Sequence, residues 1–114
     1  MGLHKIRAIC GGFDENLPLI LQNMKELDFV FFDGNHTKEA TLNYYNQCKE
    51  KANQNTVFVF DDIYWSKSMS KAWNKIISDA SISLSLDFFS FGVVFFLKNR
   101  PKQNFKIIHT VNLN

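Results

Sequence analysis

Glycine is scarce in this chain, at 5 of 114 residues, and only Gly11-Gly12 stand together. Nucleotide-binding domains usually carry a glycine-rich turn that lets backbone approach the ligand, and this pair is the only trace of one. The two cysteines, Cys10 and Cys48, are far apart and have no CxxC partner, so they read as free, buried thiols. No apolar run approaches the roughly 18 residues that a membrane span needs, and the N-terminal stretch has no signal-peptide pattern. A soluble, cytoplasmic protein with no membrane partner is expected. Charge of one sign is missing too. Thirteen basic residues against eleven acidic ones leave a net charge of +2, too balanced for a surface that coats nucleic acid. Only two arginines occur beside twelve asparagines and twelve phenylalanines, a bias that fits an AT-rich genome more than a function.

The remaining composition is globular. At 114 residues, 46% hydrophobic and 21% charged, the chain has the size of one domain and enough apolar surface for a real core. Ile6, Ala8 and Ile9 mark a short strand over Lys5–Cys10 that Gly11-Gly12 breaks. Leu17, Ile20, Leu21, Met24 and Leu27 recur at helical spacing, which predicts a helix over Asp14–Glu26. Pro18 is tolerated in its first turn. Phe29-Val30-Phe31-Phe32 is apolar at every position, the pattern of a parallel strand buried on both faces. Thr37 can cap a helix running to about Gln54. Val57-Phe58-Val59-Phe60 repeats the strand pattern, and strand, helix and strand together have the length of a right-handed βαβ unit. Ser66 can cap a third helix to Asp79 whose apolar stripe is Met69, Ala72, Trp73, Ile76 and Ile77. Ile82, Leu84 and Leu86 alternate with serines, and Phe91–Leu97 follows too closely to be a parallel neighbour, so the two predict an antiparallel hairpin. Phe105–His109 reads as a last extended segment. The Phe88-Phe89 and Phe95-Phe96 pairs read as core.

Both central strands end in acid: Asp33 on one, Asp61 and Asp62 on the next. On neighbouring strands these carboxylates converge where open α/β sheets bind ligands, beyond the carboxyl ends of the strands. A divalent cation would relieve their mutual repulsion. The plainer alternative is a helix-capping Asp with the others in water. His36, three residues after Asp33, titrates near neutrality and suits a general base as well as a solvated loop. Tyr64-Trp65, just after Asp62, can stack on a planar substrate or pack over the sheet.

Three stretches in register, Gly11-Gly12-Phe13-Asp14-Glu15-Asn16-Leu17-Pro18, Leu27-Asp28-Phe29-Val30-Phe31-Phe32-Asp33-Gly34-Asn35-His36 and Val59-Phe60-Asp61-Asp62-Ile63-Tyr64-Trp65-Ser66, resemble the second half of a class I S-adenosylmethionine-dependent methyltransferase. The O-methyltransferase-like bacterial proteins are the most similar group. The resemblance runs from Leu3 to about His109. It implies a three-layer, Rossmann-like α/β fold in which Ile6–Cys10, Phe29–Phe32, Val57–Phe60, Ile82–Leu86 and Phe91–Leu97 match strands three to seven, the last antiparallel. The family's strand one with its GxGxG turn, and strand two with its ribose-binding acid, have no counterpart here. The chain therefore reads as a partial domain, with Gly12 where the family often places an Asp or Asn.

The resemblance further implies S-adenosylmethionine as cofactor, with Gly11, Gly12 and Phe13 at its adenine end. It also implies a magnesium-like ion on Asp33, Asp61 and Asp62, O-methyl transfer to a small-molecule acceptor, and Asp33 and His36 as catalytic residues. Competing readings are a non-catalytic remnant that at most self-associates, and a metal-dependent hydrolase using the same acids. Without strands one and two, Phe29–Phe32 would keep a bare edge. Either Ile6–Cys10 fills it, giving the order three-four-five-seven-six, or two chains pair as a homodimer through the exposed edge. The first is favoured because it costs no association entropy.

Overall fold

The computed structural model describes residues 6–9, 21–22, 25–33 and 37–107. Its elements are β1 (Ile6–Ile9), β2 (Phe29–Phe32), α1 (Lys38–Lys49), β3 (Val57–Asp61), α2 (Lys67–Ile77), β4 (Leu84–Asp87), β5 (Phe91–Phe95) and β6 (Gln103–Lys106). They form one sheet in the order β1-β2-β3-β5-β4-β6. β1, β2 and β3 run parallel, β5 is antiparallel to both β3 and β4, and β6 runs parallel to β4. The expected α/β class, the single antiparallel strand near Phe91 and the pairing of Ile6–Ile9 with Phe29–Phe32 are all present. Of the helix expected over Asp14–Glu26, Leu21 and Gln22 are helical while Lys25 and Glu26 are not, so it ends before Lys25; the rest of that span lies outside the described residues.

Several boundaries differ from the sequence expectation. α1 ends at Lys49 rather than near Gln54, because the next residues satisfy their backbone locally. Asn53 N–H donates to Thr56 Oγ1 at 2.9 Å and Asn55 N–H to Asn53 Oδ1 at 2.7 Å, the turn chemistry with which Asn and Thr compete against helix. Leu27 N–H also takes the Lys51 carbonyl at 3.0 Å. The last extended segment begins earlier than expected. Gln103 N–H donates to the Ser83 carbonyl at 2.9 Å, and Lys102 Nζ reaches the carbonyls of Asp79 and Ile82 at 2.7 Å each, so pairing with β4 starts at Gln103.

Both helices lie on one face of the sheet. Tyr45 of α1 meets the rings of Phe58 and Phe60 at 6.2 and 6.1 Å, and Trp73 of α2 meets Phe60 at 6.0 Å. On that face Val30, Phe32, Phe58, Phe60 and Val94 are buried, with Phe32 stacked on Phe60 at 4.3 Å. Cys48 is a free thiol in this core, and burial pushes its pKa up to about 12. The helix-facing positions alternate with Phe29, Phe31, Val57, Val59, Val93 and Phe95, which are only half-buried. The uniformly apolar strands therefore face helix on one side only among the described residues, although their pattern predicted burial on both.

Candidate functional site at the carboxyl edge of the sheet

The register pairs Phe32 with Phe60, so Asp33 and Asp61 follow at adjacent strand ends. β4 and β6 run the same way, which brings Asp87 and Lys106 to the same edge. Asp61 is paired with Phe91, at the start of β5. The two acid-ended strands therefore do converge. Burial raises the proton affinity of Asp61, and the negative charges of Asp62 and Asp33 raise it further against a hydrogen bond from the Asp62 backbone.

Asp62 leaves the strand at a φ of 53°, in the left-handed region that non-glycine residues seldom occupy. Its N–H donates to the Ser90 carbonyl at 2.8 Å, tying the loop after β3 to the turn between β4 and β5. In that turn Phe89 has a φ of 73°. Its N–H donates to Asp87 Oδ1 at 2.8 Å, while Tyr64 Oη donates to Asp87 Oδ2. The Tyr64 pKa is pushed up to about 12 by burial and by its hydrogen bond to the Asp87 carboxylate, so the phenol stays a neutral donor at physiological pH. The Tyr64 and Phe89 rings lie 5.5 Å apart.

Two clefts flank Phe89. The larger, about 620 Å³, is bounded by Tyr64, Asp87, Phe88 and Phe89, with Lys106 and Ile107 at its rim. The smaller, about 230 Å³, lies between Asp62, Trp65 and Phe89. The expected partnership of the acids is thus realised in part: Asp33 lies beside Asp61, and Asp62 turns away to line a cleft. Among the described residues no group of three or more His, Cys, Asp or Glu side chains is arranged to hold a metal ion, so the expectation of magnesium on Asp33, Asp61 and Asp62 finds no support.

Gly11, Gly12, Phe13 and His36 lie outside the described residues. A Cβ on Gly92 would fall 2.3 Å from the Trp73 ring, so that glycine makes room for core rather than for a ligand. Phe89, read from sequence as core, is 72% exposed, whereas Phe96 is buried as expected. Asp87 was missed. The rule that singled out Asp33 and Asp61, an acid closing an apolar strand, applies less plainly to the acid after Leu84 and Leu86, because the serines between them give the alternating pattern of a half-exposed strand.

A family model described as a methyltransferase domain matches residues 3–63, more than half of the chain. An uncharacterized protein of Acanthamoeba polyphaga mimivirus is 32% identical over 71 residues, which is 59% of this chain and 32% of that protein. The chain thus spans about a third of the length of this relative. No described helix is long and apolar enough to cross a membrane. The matched segment carries β1, β2, α1 and β3 together with both strand-end acids, and by that match the chain belongs to the methyltransferase-domain family.

Proposed function

We propose that this chain provides the acceptor side of an S-adenosylmethionine-dependent methyltransferase acting on a hydroxyl group of a small molecule. The observation that carries the reading is Asp33 beside Asp61 at the carboxyl edge, the edge whose acids Asp87 and Asp62 line two clefts, in a chain whose family transfers methyl groups. S-adenosylmethionine supplies the methyl group as a sulfonium, when bound by groups beyond the described residues.

The contribution of this chain is to place and prepare the acceptor. A hydroxyl directed at Asp61 donates a hydrogen bond to a carboxylate whose proton affinity is raised by burial and by Asp62 and Asp33. Such a carboxylate takes up the hydroxyl proton more readily than an ordinary one. The loop between Asp62 and Ser66 and the turn at Phe89 hold the acceptor body and exclude water, and positioning of this kind supplies a large part of the rate in group transfer.

Two titrations test the assignment. S-adenosylhomocysteine should give no saturable heat with this chain by calorimetry. Small phenols and alcohols should shift the NMR resonances of Asp61, Asp62 and Tyr64 saturably, and Asp61→Asn should abolish the response at that position. Tight binding of the cofactor product, or no response to any hydroxyl compound, would overturn the acceptor-side reading.

A further inference from the structure

Five large apolar side chains are exposed among the described residues: Trp65, Phe89, Phe91, Phe105 and Ile107. Phe91 and Phe105 belong to sheet strands, and Ile107 directly follows one. Trp65 and Phe89 do not; they stand in two separate loops at the carboxyl edge, 75% and 72% exposed. Phe89 is the sharper case. At a φ of 73° a phenylalanine is strained where Gly or Asn would be comfortable, and with its ring in water the fold gains little burial in return. Backbone strain of this kind clusters at active sites and ligand clamps.

The neighbouring groups say what kind of ligand. The 620 Å³ cleft has the size of a small-molecule site. Tyr64, Phe88 and Phe89 line it, with the Phe88 ring stacked on Phe91 at 4.9 Å, and so does Asp87, only 7% exposed. Among the described residues that line this cleft, Asp87 is the one carboxylate and Lys106, exposed at the rim, the one cation. Asp62 lines the adjoining cleft, and Asp62, Asp61 and Asp33 add negative charge along the same edge. Aromatic faces above a buried carboxylate attract a cation that sheds water easily.

We propose that this cleft binds an organic cation, an amine or quaternary ammonium on an apolar body, and so selects an acceptor bearing that group. Only the word acceptor rests on the reading above; the binding does not.

The probes are benzyltrimethylammonium, benzyl alcohol and benzoate, titrated into the full chain and followed by the amide resonances of Tyr64, Phe89 and Ser90. The cation should bind most tightly, the neutral compound less and the anion least. Phe89→Ala should weaken the cation about three-fold, the scale of one exposed cation–π contact. Lys106→Gln should strengthen the cation and leave the neutral probe unchanged; it keeps the test valid where Asp87→Asn impairs folding. Benzoate binding most tightly, or equal affinity for all three, would overturn the proposal. So would sedimentation showing a dimer that Phe89→Ser dissociates, since the exposed rings would then belong to a second copy. The hydroxyl response at Asp61 is a separate readout, so ammonium binding without it would fail the proposed function alone.

Discussion

A Cβ added to Gly92 would lie 2.3, 2.6 and 2.7 Å from three carbons of the Trp73 ring. Trp73 is 2% exposed and wedged against Phe60, so neither partner can yield cheaply. Gly92→Ala should therefore cost about 3 kcal/mol, the upper range of overpacking, read as a lowered urea midpoint. Asp79 is the other residue on which much converges. Its Oδ2 accepts from Tyr45 Oη at 2.5 Å and Lys49 Nζ at 2.8 Å, and its Oδ1 accepts from Ser81 N–H at 3.0 Å, so it joins α1 to the turn after α2. Burial alone would raise its pKa; the bonds from Lys49, Tyr45 and Ser81 outweigh that and hold it well below the usual carboxylate range. A carboxyl group depressed in the folded state stabilises the fold fully above its unfolded pKa, about 4, and that stability fades as pH falls toward the folded value. The chain should accordingly lose stability as pH drops below about 4, and Asp79→Asn should flatten that slope. At neutral pH the variant should lose about 1–2 kcal/mol, charged hydrogen bonds discounted for partial exposure. An unchanged acid slope in urea titrations at several pH values would refute this.

At the scale of elements, what the sequence made legible follows from how local the cause is. Ser66 and Thr37 announce the helices because a capping hydroxyl acts within three residues: Ser66 Oγ accepts from Met69 N–H at 3.1 Å and Thr37 Oγ1 from Ala40 N–H at 3.1 Å. Ser66→Ala should cost about 1 kcal/mol in thermal unfolding, whereas Ser70→Ala, within the same helix, should cost less. The Phe-Val strands and the β4–β5 hairpin were equally legible, from apolar runs and connection length. The end of α1 was not, since it is set by the Asn53–Thr56 turn and by Leu27 reaching Lys51 from a distant part of the chain. β6 was only half legible, because its start depends on Lys102 and Gln103 finding carbonyls near residue 80. The site divides the same way. The acids at strand ends could be read, but the φ values of Asp62 and Phe89, which decide that one acid leaves the strand and one phenyl ring faces water, are set by the contact between two loops.

For the whole molecule the decisive pairing is β1 on β2. Val30 and Phe32 are buried, and Phe29 and Phe31 half-buried, in a strand that is hydrogen-bonded to β3 on one side. Its other side is occupied by Ile6–Ile9, in parallel register from Ile6 opposite Phe29 to Ile9 opposite Phe32. Because the pairing is made within one chain, it satisfies backbone groups without the entropy cost of association. Removing residues 1–9 should leave the donors and acceptors of Phe29–Phe32 bare along an apolar strand, the arrangement that recruits another chain. The shortened chain should then sediment as a dimer or larger species at concentrations where the full chain sediments as a smaller one. The added strand contact should appear as slowed hydrogen exchange at Phe29–Phe32 on raising the concentration. A shortened chain that stays folded and monomeric, with those amides exchanging freely, would mean that β2 does not depend on β1 to close its edge. The order from β1 to β6 would then lose the physical reason given for its first step. Among the described residues β1 is the end strand of the sheet, and its outer edge is a weaker version of the same hazard. A homodimer of the full chain through it should depend on concentration and be broken by a proline placed at Ala8.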